Sequence, residues 1–341
     1  MEKDIFLKYA RFTNLKMKKY DVYAIGNALM DVYTKVENEK LVEINLKKGD
    51  MHLVDEEQSK RFFEGVKDNI LKTGPGGSSV NVAAGVAMLG GSVAFCGVVG
   101  NDEQGRMFED ILVKEGVIAN LAKSSKMTGN VISFITDDSE RTFATHLGAA
   151  LELKKEDVSE EDIIASKVLH IEAYQLEDPK LKEVCFHAMD VAKSNGVKVS
   201  IDLSDPALIM RNLEEFKKVV KDYADIVFAN EEEAKAFTGL EPEEALHKIA
   251  EDAEDAVVKL GSKGSIIKNG EDVFKIEAVE ANAIDTTGAG DSFAAGFLYG
   301  FCNELGIEKS GKLGSFLGSK VVEEIGTRIE QDVKEEIEQL K

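Results

Sequence analysis

Cysteine is scarce: Cys96, Cys185 and Cys302 are odd in number and far apart, and none belongs to a CxxC pair. That excludes a disulfide framework and a zinc site of the usual spacing, and the plain reading is a reducing cytoplasm. The five histidines, His52, His146, His170, His187 and His247, show no metal spacing either. Three signatures are missing. There is no GxxxxGK(S/T) of a P-loop, no strand-linked GxGxxG with a following acidic residue for a dinucleotide fold, and no GxSxG of a common hydrolase. Positive charge is also short: 42 Lys and Arg against 63 Asp and Glu leave a formal charge of −21. Such a chain is opposed to nucleic acid and anionic membrane as general partners. The N-terminus lacks a continuous apolar run, which excludes an ordinary signal peptide. From Thr73 to Asn101 no residue is charged, a length that could pass for a membrane span. Glycines divide it into a small-residue helix from about Val80 to Leu89 and a buried strand from Ser92 to Val99.

What is present centres on Asp285-Thr286-Thr287-Gly288-Ala289-Gly290-Asp291, on the turn from an apparent strand into a long apolar helix. Gly288 and Gly290 let the backbone turn sharply, so the first helical N–H groups can face an anion. Asp291 then stands where a general base would take a proton from a hydroxyl as a phosphoryl group arrives. The plainer alternative is a structural turn whose aspartate serves the helix dipole. Phe293, Phe297 and Phe301 recur every fourth residue beside Gly296 and Gly300, which predicts one buried face packed closely against the sheet.

A second glycine-rich helix start, Pro75-Gly76-Gly77-Ser78-Ser79-Val80-Asn81, carries small hydroxyls and an amide and suits a polyol. Equally, Ser78 or Ser79 could only cap the helix. Asn27 and Asp31 follow the first strand, Val22 to Gly26, at the end where α/β sheets place ligands, and Asp31 either fixes two neighbouring hydroxyls or is an exposed loop aspartate. Asn230 and Glu233 have the spacing of a capping box, and also that of a pair holding a hydrated magnesium ion. Lys259, Gly261 and Gly264 lie on a strand end and turn that would run along a nucleotide or be an ordinary hairpin. Arg141 either meets a transferring phosphoryl group or is a solvated surface arginine.

Apolar runs at Val168 to Ile171, Val197 to Leu203, Ile226 to Ala229 and Val257 to Leu260 alternate with helix-like segments from Pro179, Leu213, Glu231 and Glu241. This rhythm predicts an α/β fold with a largely parallel sheet covered by helices on both faces. Polar and apolar residues alternate from Tyr33 to Val54 and from Val131 to Thr145, which predicts half-exposed antiparallel strands. They form either a small sheet over the site, as a lid, or edge strands of the main sheet. The domain reading is an N-terminal extension at 1–18, dispensable before Met17; an α/β core of 19–32, 57–126 and 149–341; and a β lid of 33–56 and 127–148.

In this order the motifs resemble the PfkB-type carbohydrate kinase family, also called ribokinase-like, and within it bacterial adenosine kinase-like members. The resemblance runs from Lys19 to Arg328 and rests on Gly26 to Asp31, Gly76 to Asn81 and Asp285 to Asp291. Arg141 to Gly148, Ser204-Asp205-Pro206, Asn230 to Glu233 and Gly326-Thr327-Arg328 support it. It implies a three-layer sandwich, a central mostly parallel sheet flanked by helices, with a small β lid and ATP along the carboxyl edge. It further implies Asp291 as base, Gly288, Ala289 and Gly290 as anion hole, and Arg141 near the phosphates. Substrate contacts are implied at Asn27, Asp31, Gly76, Gly77, Ser78 and Asn81. Asn230 and Glu233 would organise Mg2+ through water, and Asp285 with Thr287 would hold a monovalent cation such as K+. Three positions depart from the pattern: Lys259 where many relatives have Thr, Thr327 where close relatives often have Pro, and His146 in the lid.

The expected activity is ATP- and magnesium-dependent phosphorylation of a nucleoside such as adenosine at its 5′-hydroxyl. Phe134, Phe143 and Tyr33 would supply a stacking face for the base, or else fill the lid core. The alternatives are a kinase for ribose, fructose or a related hexose, and a non-catalytic nucleoside or sugar sensor. The partner is a small molecule, and monomer and homodimer both fit.

Overall fold

A computed structural model of the chain describes residues 18–138 and 140–341; the expected extension before Met17 lies outside the described residues. Nine strands form the main sheet, in the spatial order Asp272–Ile276, Ser265–Asn269, Asp255–Lys259, Ile226–Asn230, Lys198–Asp202, Ser166–Glu172, Tyr20–Ile25, Val93–Gly100 and Ile118–Ser124. From Asp255–Lys259 to Ile118–Ser124 every pairing is parallel, and the hairpin at the other edge is antiparallel. Central strands are apolar on both sides because both faces are covered. Along Tyr20–Ile25, Tyr23 and Ile25 enter one core while Val22 and Ala24 enter the other, as the period-two pleat requires.

Helix Ala289–Cys302 lies in the second of these cores, where Phe297 meets Phe228 edge-on at 5.4 Å and stacks on Phe301 at 6.4 Å. Its glycines do allow close packing, but against another helix rather than the sheet. A Cβ on Gly296 would lie 2.6 Å from backbone atoms of Leu313 and Gly314, in helix Ile307–Val321.

The second sheet has five strands, in the order Met51–Leu53, Arg141–His146, Gly129–Ile135, Leu29–Lys35 and Ile70–Gly76. It is separate from the main sheet, and it departs from expectation in three ways. It is mixed, since Met51–Leu53 runs parallel to Arg141–His146 and Leu29–Lys35 parallel to Gly129–Ile135. It begins at Leu29, and it includes Ile70–Gly76, although residues 19–32 and 57–126 were expected in the core. Gly74, Pro75 and Gly76 are poor strand formers, tolerated here because the strand is at an edge. Last, part of the Tyr33 to Val54 segment is helix Asn38–Glu43, whose buried Leu41 joins Phe62 and Val66 of helix Glu56–Val66 in a core under the sheet. A single buried position in six residues, Leu41, with Val42 exposed, fits one helical turn as well as it fits a strand.

Gly296→Ala forces the two backbones apart and is expected to cost about 1–3 kcal/mol in denaturant unfolding, the usual range for overpacking. Gly65→Ala, in helix Glu56–Val66 with open space at its Cβ position, is expected to stabilise by up to about 1 kcal/mol. Equal effects of the two changes would contradict this packing.

Candidate active site

The carboxyl ends of strands Lys198–Asp202, Ile226–Asn230 and Asp255–Lys259 open onto a cleft of about 850 Å³, closed on one side by the start of helix Ala289–Cys302. Gly288, just before that helix, has φ +76, and a side chain there would also press on Thr327, whose Cγ2 lies 3.0 Å from the Cβ position. Asp291 faces the cleft from the first helical turn. Its Oδ1 accepts from Ser78 Oγ at 2.7 Å and its Oδ2 from Asn81 Nδ2 at 2.8 Å. The two glycine-rich motifs are therefore one site. Burial pushes the Asp291 carboxyl above its ordinary value, against the pull of the Asn81 and Ser78 bonds.

Gly77, with φ +105, packs its Cα on Asn27, where a Cβ would lie 2.1 Å from the carbonyl oxygen. A side chain on Gly76 would lie 2.2 Å from the Asp31 carboxylate. Asp31 is buried on strand Leu29–Lys35 and accepts from Tyr33 Oη at 3.0 Å. Burial pushes its carboxyl up to about 7, while the Tyr33 bond and the Arg328 charge act the other way. Tyr33 is thus bonded into the small sheet, and Phe134 is fully buried with its ring 6.2 Å from that of Phe62. Phe134 fills the core under the small sheet and is not the expected stacking face, whereas Tyr33 lies on the face that carries Asp31, with its ring 3.3 Å from the Cβ position of Gly326.

Arg141 reaches from the small sheet to the loop before the helix: its Nε lies 3.0 Å from Asp285 Oδ1, and an Nη donates to Ile284 O at 3.1 Å. Asp285 also accepts from the Thr287 and Gly326 amides, each at 2.9 Å. A guanidinium thus lies against the Asp285 carboxylate. Asn230 and Glu233 form the full capping box, with the Asn230 amide donating to Glu233 Oε2 at 2.8 Å and Nδ2 to Oε1 at 2.6 Å. Burial pushes Glu233 up to about 7, opposed by the charge of Lys259. Lys259 is, among the described residues that line the cleft, the only cation. Its Nζ is 2.9 Å from Asp202 Oδ2 and 2.9 Å from the Cβ position of Gly290. Burial works to lower its pKa, but Asp202 and Glu233 outweigh that and raise it. Gly261 and Gly264 turn the hairpin beside it with φ +58 and +91.

Comparison with known proteins fits this arrangement. The profile of the pfkB family carbohydrate kinase matches residues 21–334. The chain belongs to this family. Among solved structures, adenosine kinase from Sinorhizobium meliloti is 34% identical with a TM-score of 0.87, covering 95% of this chain and 100% of that one. A probable sugar kinase protein from Rhizobium etli CFN 42 is also 34% identical, with a TM-score of 0.88 over 95% of this chain and 99% of its own. The 5-dehydro-2-deoxygluconokinase of Bacillus subtilis (strain 168) is 28% identical over 97% of this chain and 98% of its own. As a PfkB kinase the chain is a phosphotransferase acting on a hydroxyl group. The expected α/β fold with its smaller second sheet matches these neighbours.

Three further residues tie these parts together, and the sequence motifs give none of them a site role, Arg328 standing only within the supporting Gly326-Thr327-Arg328 stretch. Glu172, buried at the end of strand Ser166–Glu172, accepts from the Asn27 amide at 3.1 Å, Asn27 Nδ2 at 3.2 Å and the Ser79 amide at 2.7 Å. Burial pushes it up to about 7 despite these donors. The other two are Asp202, beneath Lys259, and Arg328, which donates to Asn81. The available signal for Glu172 and Asp202 is a lone carboxylate ending an apolar strand, as in Ser166–Glu172 and Lys198–Asp202.

Glu172→Gln would turn an NH2 group toward a backbone donor and leave a buried N–H unsatisfied. Unfolding stability is expected to fall by about 1–3 kcal/mol. An unchanged denaturation midpoint would show that Glu172 does not organise Asn27 and Ser79.

Proposed function

We propose that the chain transfers the γ-phosphate of ATP to a primary hydroxyl of an adenosine-like nucleoside, with Asp291 as general base. The observation that carries this is the meeting of Asp291, Ser78 and Asn81 with the first turn of helix Ala289–Cys302 at one end of the cleft. On this reading Asp291 takes the proton of the attacking hydroxyl. The new oxygen–phosphorus bond forms in line as the bond to the β–γ bridging oxygen breaks, and ADP leaves. Helical amides around Gly288, Ala289 and Gly290 hold the charge that gathers on the equatorial oxygens. Arg141 joins them by turning from Asp285 to the phosphates as the small sheet closes as a lid. Lys259, Asn230, Gly261 and Gly264 flank the polyphosphate, where the one lining cation meets the negative charge.

Magnesium fits as an ion carried in on the nucleotide. Both Glu233 oxygens already accept from Asn230, so this pair would hold it only through water. Among the described residues no group of three or more His, Cys, Asp or Glu is placed to hold a metal. When bound, the ion neutralises phosphate charge. A potassium ion beside Asp285 and Thr287 would share the Asp285 carboxylate with Arg141, so activation by K+ would accompany the swing of that arginine.

On the acceptor side, Asn27 Oδ1 is buried and has no partner among the described residues, which leaves an acceptor for a substrate hydroxyl. Asp31 suits the neighbouring hydroxyls of a ribose and repels an acidic acceptor. The likeness to the Sinorhizobium adenosine kinase supports a nucleoside. The second reading, a sugar kinase with the same catalytic parts, is favoured by the names of the Bacillus and Rhizobium relatives. A sensor without activity would not need a base hydrogen-bonded and aimed into the cleft.

Asp291→Asn is expected to lower kcat by at least about 100-fold; near-normal turnover would remove Asp291 from this role. Because burial raises its carboxyl pKa and the base must be ionised, kcat/KM is expected to fall on acidification at a pH above the ordinary aspartate value of about 3.9. A coupled ADP-release assay over adenosine, other nucleosides, ribose and fructose decides the acceptor. Turnover with ribose or fructose and none with nucleosides would replace this reading by the second.

A further inference from the structure

Asn81 sits between two groups that fix its orientation. Its Oδ1 accepts from Arg328 Nη1 at 2.7 Å, while its Nδ2 donates to Asp291 Oδ2 at 2.8 Å. A guanidinium only donates and an ionised carboxylate only accepts. Turning the amide over would set NH2 against guanidinium and carbonyl oxygen against carboxylate, two repulsions in place of two bonds. Arg328 is itself held firmly, with Nε 2.9 Å from Glu115 Oε1 and Nη1 donating to Thr327 Oγ1 at 3.1 Å. The residues before it clasp the same loop: Thr327 packs on Gly288, and the Gly326 amide donates to Asp285.

We propose that Arg328 is a positioning residue for the base, locking the Asn81 amide so that Asp291 always meets a donor, stays ionised and keeps its aim at the acceptor hydroxyl. This rests on the kinase reading and adds to it a residue that acts through Asn81. With glutamine at position 328 the lock is lost, because a glutamine amide can donate or accept and lets Asn81 turn over. Asp291 then faces an oxygen for part of the time, which favours its protonated form. Ser78 and the titratable groups around Asp291, namely Lys259, Asp202, Glu172, Asp31 and Tyr174, keep their identity in that substitution, but Asp31 loses the Arg328 charge that lowers its carboxyl, and comparing Asn81→Leu with the double change Asn81→Leu and Arg328→Leu separates that charge effect from the lock.

The test is a carbon NMR titration of the full chain labelled at the aspartate carboxyl carbons, with Asp291 assigned by the signal lost in Asp291→Asn. In Arg328→Gln its midpoint is expected to rise by about one pH unit, and the acid limb of kcat/KM to move with it. Arg328→Lys, which keeps a donor-only cation, is expected to stay near the parent value. A midpoint in Arg328→Gln within about 0.2 pH unit of the parent's would overturn the proposal. Should that variant not fold, Asn81→Leu and the double change Asn81→Leu with Arg328→Leu take its place. Equal midpoints in those two are expected, and a further shift in the double variant would show that Arg328 acts by another route. A parent protein that releases no ADP with any acceptor would sink the kinase reading alone, since the NMR midpoint still decides the role of Arg328.

Discussion

Helices Ser78–Met88 and Ala289–Cys302 run against each other so closely that a Cβ on Gly85 would lie 2.5 Å from that of Ala295. This contact sets the distance between the two glycine-rich helix starts. With a larger residue at position 85 the helices would part, and Ser78 and Asn81 would no longer span to Asp291. The contact with helix Ile307–Val321 on the other side, through Gly296 and Gly314, holds the same helix from behind. Small residues in these helices are thus the reason that the Asp291 carboxylate, two donors and a helix N-terminus share one end of a cleft. The sheet contributes the remaining parts, at the carboxyl ends of its parallel strands, where ligands of α/β folds are bound.

The second constraint is charge. A chain with a net charge of −21 gathers carboxylates at this site, and desolvation raises the pKa of the buried Asp31, Glu172 and Glu233 and of the half-buried Asp291. Each accepts hydrogen bonds from defined donors, so none is left bare. Three cations are interleaved with them: Arg141 on Asp285, Lys259 on Asp202 and Arg328 between Glu115 and Asn81. A bound polyphosphate would compete for the first two of these cations. In the proposed reaction that exchange is what an acidic protein offers an acidic nucleotide: existing ion pairs are traded for new ones, so the added charge is met within the site.

Motifs that are local in sequence are legible from the residues alone. The turn at Gly288 to Asp291, the helix start at Gly76 to Asn81 and the Asn230 to Glu233 box each declare a backbone geometry through glycine or a capping pair. Their mutual contacts do not show. Glu172 meets Asn27 across 145 residues and Arg328 meets Asn81 across 247, and no spacing rule connects such positions. The same limit explains the small sheet. Its alternating strands at Gly129–Ile135 and Arg141–His146 are visible in the pattern, whereas Ile70–Gly76 is hidden by Gly74, Pro75 and Gly76, and its place is set by pairing with Leu29–Lys35. Arg328 stands out only as part of a supporting motif, since a lone arginine near the end of a chain carries no local sign of its partner.

Direct transfer is the central claim, with Asp291 serving the incoming hydroxyl rather than taking the phosphoryl group itself. The stereochemical course at phosphorus tests this most directly, using ATP made isotopically chiral at the γ-phosphorus with the acceptor that supports turnover. A single in-line displacement predicts inversion of configuration in the phosphorylated product. Retention would require a phosphoenzyme formed on a group such as Asp291 or Ser78 and would contradict the assignment of Asp291 as base.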